Sequence, residues 1–117
     1  MTPNRIQRKR TRGWEMPPNT KSVTRPGKWG NLFKVVRVDG CYRVWSGIHG
    51  TFVGLREFNG EVYDPRLAAK EAVQYYRDYA VASTLDFSEL KGYDLACFCK
   101  EGDPCHADVL LELANQS

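Results

Sequence analysis

Long apolar runs are absent from this sequence, and none approaches the roughly 18 consecutive apolar residues that a membrane-spanning helix needs. The first thirty residues also lack the apolar core of a secretory signal, which favours a reducing cytoplasm as the compartment. We therefore expect neither a membrane partner nor a disulfide framework. At 117 residues, the chain has the length of one small domain that buries a single core.

Acidic residues are nearly missing from the first third of the chain. Through Arg37, ten basic residues face Glu15 alone, a net charge of +9, whereas the remainder has seven basic and thirteen acidic residues, a net charge of −6. Such a basic segment attracts polyanions: nucleic acid, nucleotide phosphates, or the protein's own acidic face. Because residues 1–12 carry dense charge without an apolar period, we expect a flexible basic arm there and a single α/β domain over residues 13–117.

Turn signals divide the middle of the chain into strands and a helix. Asp39-Gly40 lies between two β-rich runs and predicts a hairpin over residues 33–45. A second hairpin is expected over residues 51–63. Asp64-Pro65 then supplies an N-cap and a first-turn proline for the strongest helix of the chain.

The last third predicts a short helix, a buried strand and a closing helix. Residues 86–89 have the form of a capping box, residues 93–98 form an apolar run, and Asp103-Pro104 opens the final helix. The whole order predicts a small α/β fold, a mixed β-sheet with helices packed on it. In open sheets of this kind, ligands bind beyond the carboxyl ends of the strands.

Cysteine is scarce but clustered at that predicted strand end. Cys97 and Cys99 are two residues apart, so on a strand their side chains project to the same face. Cys105 and His106 fall near the start of the closing helix, where the helix dipole lowers a thiol pKa. Asp108, three residues after Cys105, lies on the same helical face.

Three interpretations of this cluster remain open. Cys97, Cys99, Cys105 and His106 have the ligand types of a tetrahedral zinc site, although their spacing differs from the usual zinc knuckles. Alternatively, Cys105 is a catalytic nucleophile with His106 or Asp108 as its proton partner, in transfer chemistry on a phosphate or glycosidic substrate. In the third interpretation, the cysteines are small buried residues where a strand packs on a helix.

A second candidate site lies in residues 25–31. Arg25 and Lys28 can neutralise phosphate, Trp29 can stack on a base, and the glycines before Asn31 let the backbone approach a ligand. The alternative for Trp29 is that it covers the core, which is the commoner position of tryptophan in a small domain.

The chain resembles a known family in motifs spread over residues 5–115. They are Gly13-Trp14-x-Met16-Pro17, the loop of residues 25–33, the Ala69-x-x-Ala72-x-x-x-Tyr76-Arg77 helix, and residues 91–99 with 105–110. In these motifs it is similar to the domain-of-unknown-function family 4326, frequent in bacteriophages and actinobacteria. Leu32 and Phe98 stand where members often have proline and tryptophan. The resemblance implies a phage or bacterial origin, and a host cytoplasm if the protein is phage-encoded, but no particular reaction.

The leading hypothesis is a small intracellular protein that binds a phosphate-bearing ligand, a nucleotide or nucleic acid, between residues 25–31 and residues 97–106. One alternative is a nucleotide-directed transferase or hydrolase that uses Cys105. The other is a noncatalytic phage protein that binds a host protein through its basic arm. The leading hypothesis requires that the loop and the cysteine cluster face the same cavity.

Overall fold

The computed structural model describes residues 3–25, 27–54, 63–100 and 102–116. The strands are β1 (Arg5–Gln7), β2 (Thr20–Ser22), β3 (Phe33–Val38), β4 (Cys41–Ser46), β5 (Thr51–Val53) and β6 (Asp94–Cys97); the helices are α1 (Pro65–Ala82), a 3₁₀ helix (Phe87–Leu90) and α2 (His106–Asn115). They divide into two compact units: unit 1 is Met1–Gly30 with Thr84–Ser117, and unit 2 is Asn31–Ser83. The predicted α/β class is confirmed, with the strands in two sheets.

Unit 1 is built on a parallel sheet in the order β1–β6–β2. The central strand β6 has a continuous run of buried residues, Leu95, Ala96 and Cys97, which is typical of a parallel strand whose two faces are both covered. Helix α2 packs on β6, β1 and the 3₁₀ helix, and Leu110 on α2 is fully buried. The core of this unit therefore lies between its central strand and its closing helix.

Two strands of unit 1 differ from the sequence-based expectation. Residues 5–7 lie in the segment expected as a flexible arm, and residues 20–22 in a segment rich in turn signals, yet they form β1 and β2. Both are three residues long and mostly polar. Each pairs with β6 through main-chain hydrogen bonds, with Arg5 opposite Leu95 on one side and Lys21 opposite Leu95 on the other. Because the partner strand stabilises them, their own residues carry little strand signal.

Unit 2 combines an antiparallel sheet in the order β3–β4–β5 with helix α1, which packs on β3 and β4. The predicted turn at Asp39-Gly40 joins β3 and β4, and both residues have positive φ, 47° and 82°. Such a turn matches the twist of the two strands. Strand β5 covers the start of the second predicted hairpin, and residues 55–62 of that hairpin lie outside the described residues.

Helix α1 begins as its sequence predicts. The Asp64 carboxylate accepts a hydrogen bond from the Arg66 backbone N–H at 2.9 Å, and Pro65 occupies the first turn. Its buried residues recur every four positions, at Ala68, Ala72, Tyr76 and Ala80. Over the described ranges, no helix has both the length and the apolar character needed to cross a bilayer.

Candidate metal centre

The carboxyl ends of the three parallel strands lie along one edge of the sheet in unit 1, which we call the carboxyl edge. Arg8 follows β1, Phe98 follows β6 and Val23 follows β2. The Arg8 N–H donates to the Cys97 carbonyl at 2.6 Å, and the Val23 N–H donates to the Ala96 carbonyl at 2.9 Å. These bonds extend the pairing one residue beyond each outer strand, so the groups that follow the strands are brought together where open α/β sheets bind ligands.

Three thiols meet at the carboxyl edge. The Sγ atoms of Cys97, Cys99 and Cys105 all lie within 4.8 Å of one another, and those of Cys97 and Cys105 are 3.1 Å apart. Cys97 and Cys105 are buried, whereas Cys99 is half-buried. With His106 we call these residues the thiol corner. Its three cysteines can hold a metal ion.

His106 is oriented by the backbone that follows β2. Its buried ring places Nε2 2.7 Å from the Val23 carbonyl oxygen. Because a carbonyl only accepts, Nε2 carries the proton and Nδ1 is the acceptor nitrogen of the ring. Nδ1 lies 3.8 Å from the Cys105 Sγ. Burial is the main cause that lowers the pKa of His106; it outweighs the hydrogen bond to Val23 and the charge of Cys99, which raise that pKa, and the Arg25 charge lowers it further.

The thiol corner is electrostatically suited to a cation. Hydrogen bonds from the thiols of Cys105 and Cys97 hold the pKa of Cys99 far below its usual value. Hydrogen bonds with Cys97 and Cys99, and then burial, raise the pKa of Cys105. The thiols of Cys97 and Cys105 therefore favour a thiolate at Cys99 over thiolates at their own positions. A metal ion that replaced the protons of these thiols would meet thiolate ligands.

Arg5 braces the loop between β6 and α2. Its Nη1 donates to the Asp103 carbonyl at 2.8 Å and to the Asp108 carboxylate at 3.0 Å, and its Nη2 donates to the Lys100 carbonyl at 3.1 Å. Burial alone lowers the pKa of Arg5, but the charges of Asp108 and the cysteines outweigh it and raise that pKa. Sequence reasoning missed this role, since nothing separates Arg5 from the other charges of the basic segment.

Asp108 and the start of α2 depart from their expected geometry. The Asp108 side chain contacts Arg5 and is 58 % exposed. The prediction that Asp103-Pro104 opens the helix is wrong by two residues, because α2 begins at His106 with Cys105 as its N-cap in extended conformation. The Asp103 N–H instead donates to the Lys100 carbonyl in a preceding turn.

The predicted loop of residues 25–31 is divided among different surroundings. Lys28 Nζ lies 2.8 Å from the Glu89 carboxylate, and Trp29 is buried with its ring centroid 5.8 Å from that of Phe87. Both side chains therefore contact residues of the 3₁₀ helix. Asn31 belongs to unit 2, where its Oδ1 accepts from the Phe33 N–H at 2.8 Å.

Arg25 is a predicted loop residue whose charge lowers the pKa of His106. The loop closes tightly on it. A Cβ atom at Gly30 would lie 2.7 Å from the Arg25 Cα, so only glycine fits there without a backbone shift.

Comparison with known proteins identifies one related family. The model of the family described as domain of unknown function (DUF4326) matches residues 6–116, nearly the whole chain. No curated protein and no solved structure matches. All four residues of the thiol corner lie within the matched range, and Arg5 lies one residue before it.

Proposed function

Since the chain belongs to the DUF4326 family, whose description states no activity, we propose its function from the geometry of unit 1. The protein binds a phosphate-bearing ligand, a nucleotide or nucleic acid, at its carboxyl edge, beside a thiol corner that holds Zn²⁺. The convergence of thiols, imidazole and arginines at the ends of three parallel strands carries this proposal.

The donor set supports zinc over other ions. Three thiols and one imidazole nitrogen form a Cys₃His set, which is typical of closed, structural zinc sites. A Zn–S bond of about 2.3 Å sets the sulfurs of a tetrahedron about 3.8 Å apart, so the corner needs only small shifts. The Val23 carbonyl bonded to His106 Nε2 is the outer partner that zinc-ligating histidines usually have. Zinc would fix the loop between β6 and α2.

Arginines next to the corner support a phosphate-bearing ligand. Arg8 Nη1 donates to the hydroxyls of Ser22 and Thr24, each at 3.0 Å, so neutral groups hold its positive charge in place. Arg25 lies three residues after β2, and its charge lowers the pKa of His106. Guanidinium groups bind phosphate oxygens in bidentate fashion. Lys28, paired with Glu89, and the buried Trp29 are less suited to the role that the sequence suggested.

Catalysis by a thiol is the second candidate function, a nucleotide-directed transferase or hydrolase. The sequence favoured Cys105, with His106 and Asp108 as partners, but Cys105 is only 2 % exposed. Cys99 is half-buried in the same cluster, so it is the better nucleophile because a substrate can reach it more easily.

Elemental analysis and native thiol counting separate the two candidates. We expect one zinc ion per chain, lost in Cys99→Ser but kept in the matched control Cys41→Ser, whose thiol lies on β4 and donates to the Val38 carbonyl. A metal-free protein with one fast thiol, absent in Cys99→Ser, would favour the enzyme. A metal-free protein with slow thiols would contradict both.

Equilibrium binding of ATP and of an oligonucleotide tests the phosphate site. Arg8→Gln is expected to weaken binding of whichever ligand is held, whereas Arg37→Gln, an exposed arginine on β3 of unit 2, serves as the control for net charge. If Arg8→Gln and Arg37→Gln behave alike, the carboxyl edge is not the binding site.

A further inference from the structure

We propose that Phe98, with Arg8 and Arg10 over its ring, is a base-stacking site and that its ligand is a single-stranded nucleic acid. This inference rests on the proposed function, because it names the class of ligand that binds at the same carboxyl edge.

Phe98 presents an aromatic surface directly beyond the central strand. It is 37 % exposed, although Cys97 before it is buried. The guanidinium carbons of Arg8 and Arg10 lie 4.7 Å and 4.2 Å from the Phe98 ring centroid, within the range of cation–π contacts. Because these guanidinium groups cover the ring, a base stacks on it by displacing the exposed Arg10 side chain, which then contacts a phosphate of the ligand.

The described residues supply no ion pair to the cations of this surface. Neither Arg8 nor Arg10 pairs with a carboxylate in the part of the chain that the structure describes. Arg8 Nε is buried without a hydrogen-bond partner there. Lys9 and Arg12 are exposed nearby in the sequence. A polyanion that bound here would release counterions and gain affinity at low salt.

An extended single strand fits this arrangement better than a free nucleotide or a duplex. Cations at positions 8, 9, 10 and 12 follow one stretch of chain, which matches a repeating phosphate backbone more closely than one phosphate group. An exposed ring stacks on any base, because every base has a π-face. In a duplex the bases are already stacked on each other, so the ring would find no open face.

Fluorescence anisotropy with labelled oligothymidylate and oligouridylate of about 12 nucleotides tests the inference, since such lengths suit typical single-strand sites. We expect Phe98→Ala to weaken binding about 5- to 150-fold, the effect of losing one stacked base. Phe98→Leu should show the same direction while keeping an apolar side chain, and Phe98→Trp should retain affinity. DNA and RNA are separate arms, and tighter binding of either identifies the preferred strand.

The salt dependence of oligonucleotide affinity separates the contribution of the Phe98 ring from that of the basic side chains. Arg10→Gln should reduce the slope of log affinity against log salt by about 0.7, one phosphate contact for a single strand. Phe98→Ala should shift affinity equally at every salt concentration without changing that slope.

Tyr93→Ala is the matched control. It removes a similar cation–π pair, in which Lys21 Nζ lies 4.3 Å from the Tyr93 ring centroid, but just before β6, at the opposite end of the strand from Phe98. We expect oligonucleotide affinity within twofold of the parent protein. A loss as large as that of Phe98→Ala would show that the effect is not specific to the carboxyl edge and would overturn the inference.

Inorganic polyphosphate, a polyanion without bases, distinguishes base stacking on Phe98 from the phosphate binding of the proposed function. If Phe98→Ala binds oligonucleotide normally and polyphosphate competes as well as DNA, the stacking site is refuted while phosphate binding stands. Tighter binding of duplex than of single strand also overturns it. If the parent protein binds neither oligonucleotide nor ATP at low salt, the proposed function fails with it.

Discussion

His106 Nε2 and the Val23 carbonyl oxygen, 2.7 Å apart, join helix α2 to the residue that follows β2. Val23 is itself fully buried, and its N–H donates to the Ala96 carbonyl of the central strand. The imidazole is therefore held by a chain of main-chain bonds that begins in the sheet. This orientation leaves Nδ1 on the side of the Cys105 thiol, where it completes the donor set proposed for zinc.

We expect His106→Ala to lower zinc affinity by about 100-fold or more, since loss of an outer partner alone costs 10- to 100-fold. Competition with a chromophoric chelator measures it. His49→Ala removes the other histidine of the chain, which bonds Ser46 in unit 2, and should leave the affinity unchanged. Equal affinities in the two variants would mean that the imidazole is not a ligand.

Metal removal should destabilise unit 1. At a free zinc concentration 1,000 times the dissociation constant, zinc binding adds about 4 kcal/mol to the free energy of unfolding. Chelating the ion should therefore lower Tm by roughly 10–20 °C. Calorimetry with and without chelator gives the shift. Amides of β6 and α2, which meet at the thiol corner, should lose hydrogen-exchange protection first. Unchanged protection at these amides would contradict the zinc proposal.

Arg5→Lys tests the hydrogen bonds by which Arg5 holds the loop between β6 and α2. Lysine keeps the charge but lacks the fork that reaches the Asp103 and Lys100 carbonyls together with Asp108. We expect the free energy of unfolding to fall by about 1–2 kcal/mol, below the sum for three charged hydrogen bonds because Asp108 is largely exposed. Urea denaturation measures it.

Arg12→Lys is the control for Arg5→Lys, because Arg12 is an exposed residue of the same basic segment. Its free energy of unfolding should lie within about 0.5 kcal/mol of that of the parent protein, as is usual for surface substitutions. If both lysine variants are equally stable, the three hydrogen bonds of Arg5 contribute nothing measurable to the fold.

Elements with local signals were predictable from the sequence, and elements that depend on distant partners were not. The Asp39-Gly40 turn and the Asp64 cap are encoded within a few residues, and the structure has both. Strands β1 and β2 are three residues each, with Ile6 as their one apolar side chain, and they form because β6 pairs with them. Their signal is therefore in the partner strand and not in their own side chains.

The candidate site divides in the same way. Cys97, Cys99 and Cys105 are close in sequence, so their clustering was visible before the fold was known. His106 and Val23 are 83 residues apart in the sequence, and Arg5 and Asp108 are 103 apart. No local sequence pattern encodes contacts over such separations. The stacking role expected for Trp29 had a similar origin, because a loop of cations, glycines and an indole does not reveal which way the indole faces.

Trp29 gives the last prediction, since the sequence left open whether it covers the core or stacks on a ligand. It is 8 % exposed and packs on Phe87 of the 3₁₀ helix. Trp29→Ala should lower the free energy of unfolding by about 3–5 kcal/mol, the usual cost of removing a large buried ring. Trp29→Phe retains most of that packing and should cost less. Urea denaturation measures both.

Oligonucleotide affinity of the folded Trp29→Phe protein then decides the role of the indole. If the ring only packs in unit 1, affinity should match that of the parent protein, whereas Phe98→Ala weakens it. The two substitutions therefore separate stability from binding: one changes the denaturation midpoint and the other changes the anisotropy titration. The smallest effect of a lost stacking contact is about fivefold weaker binding. If a stable Trp29→Phe protein binds oligonucleotide more than about fivefold more weakly, the ligand contacts Trp29, as the sequence suggested.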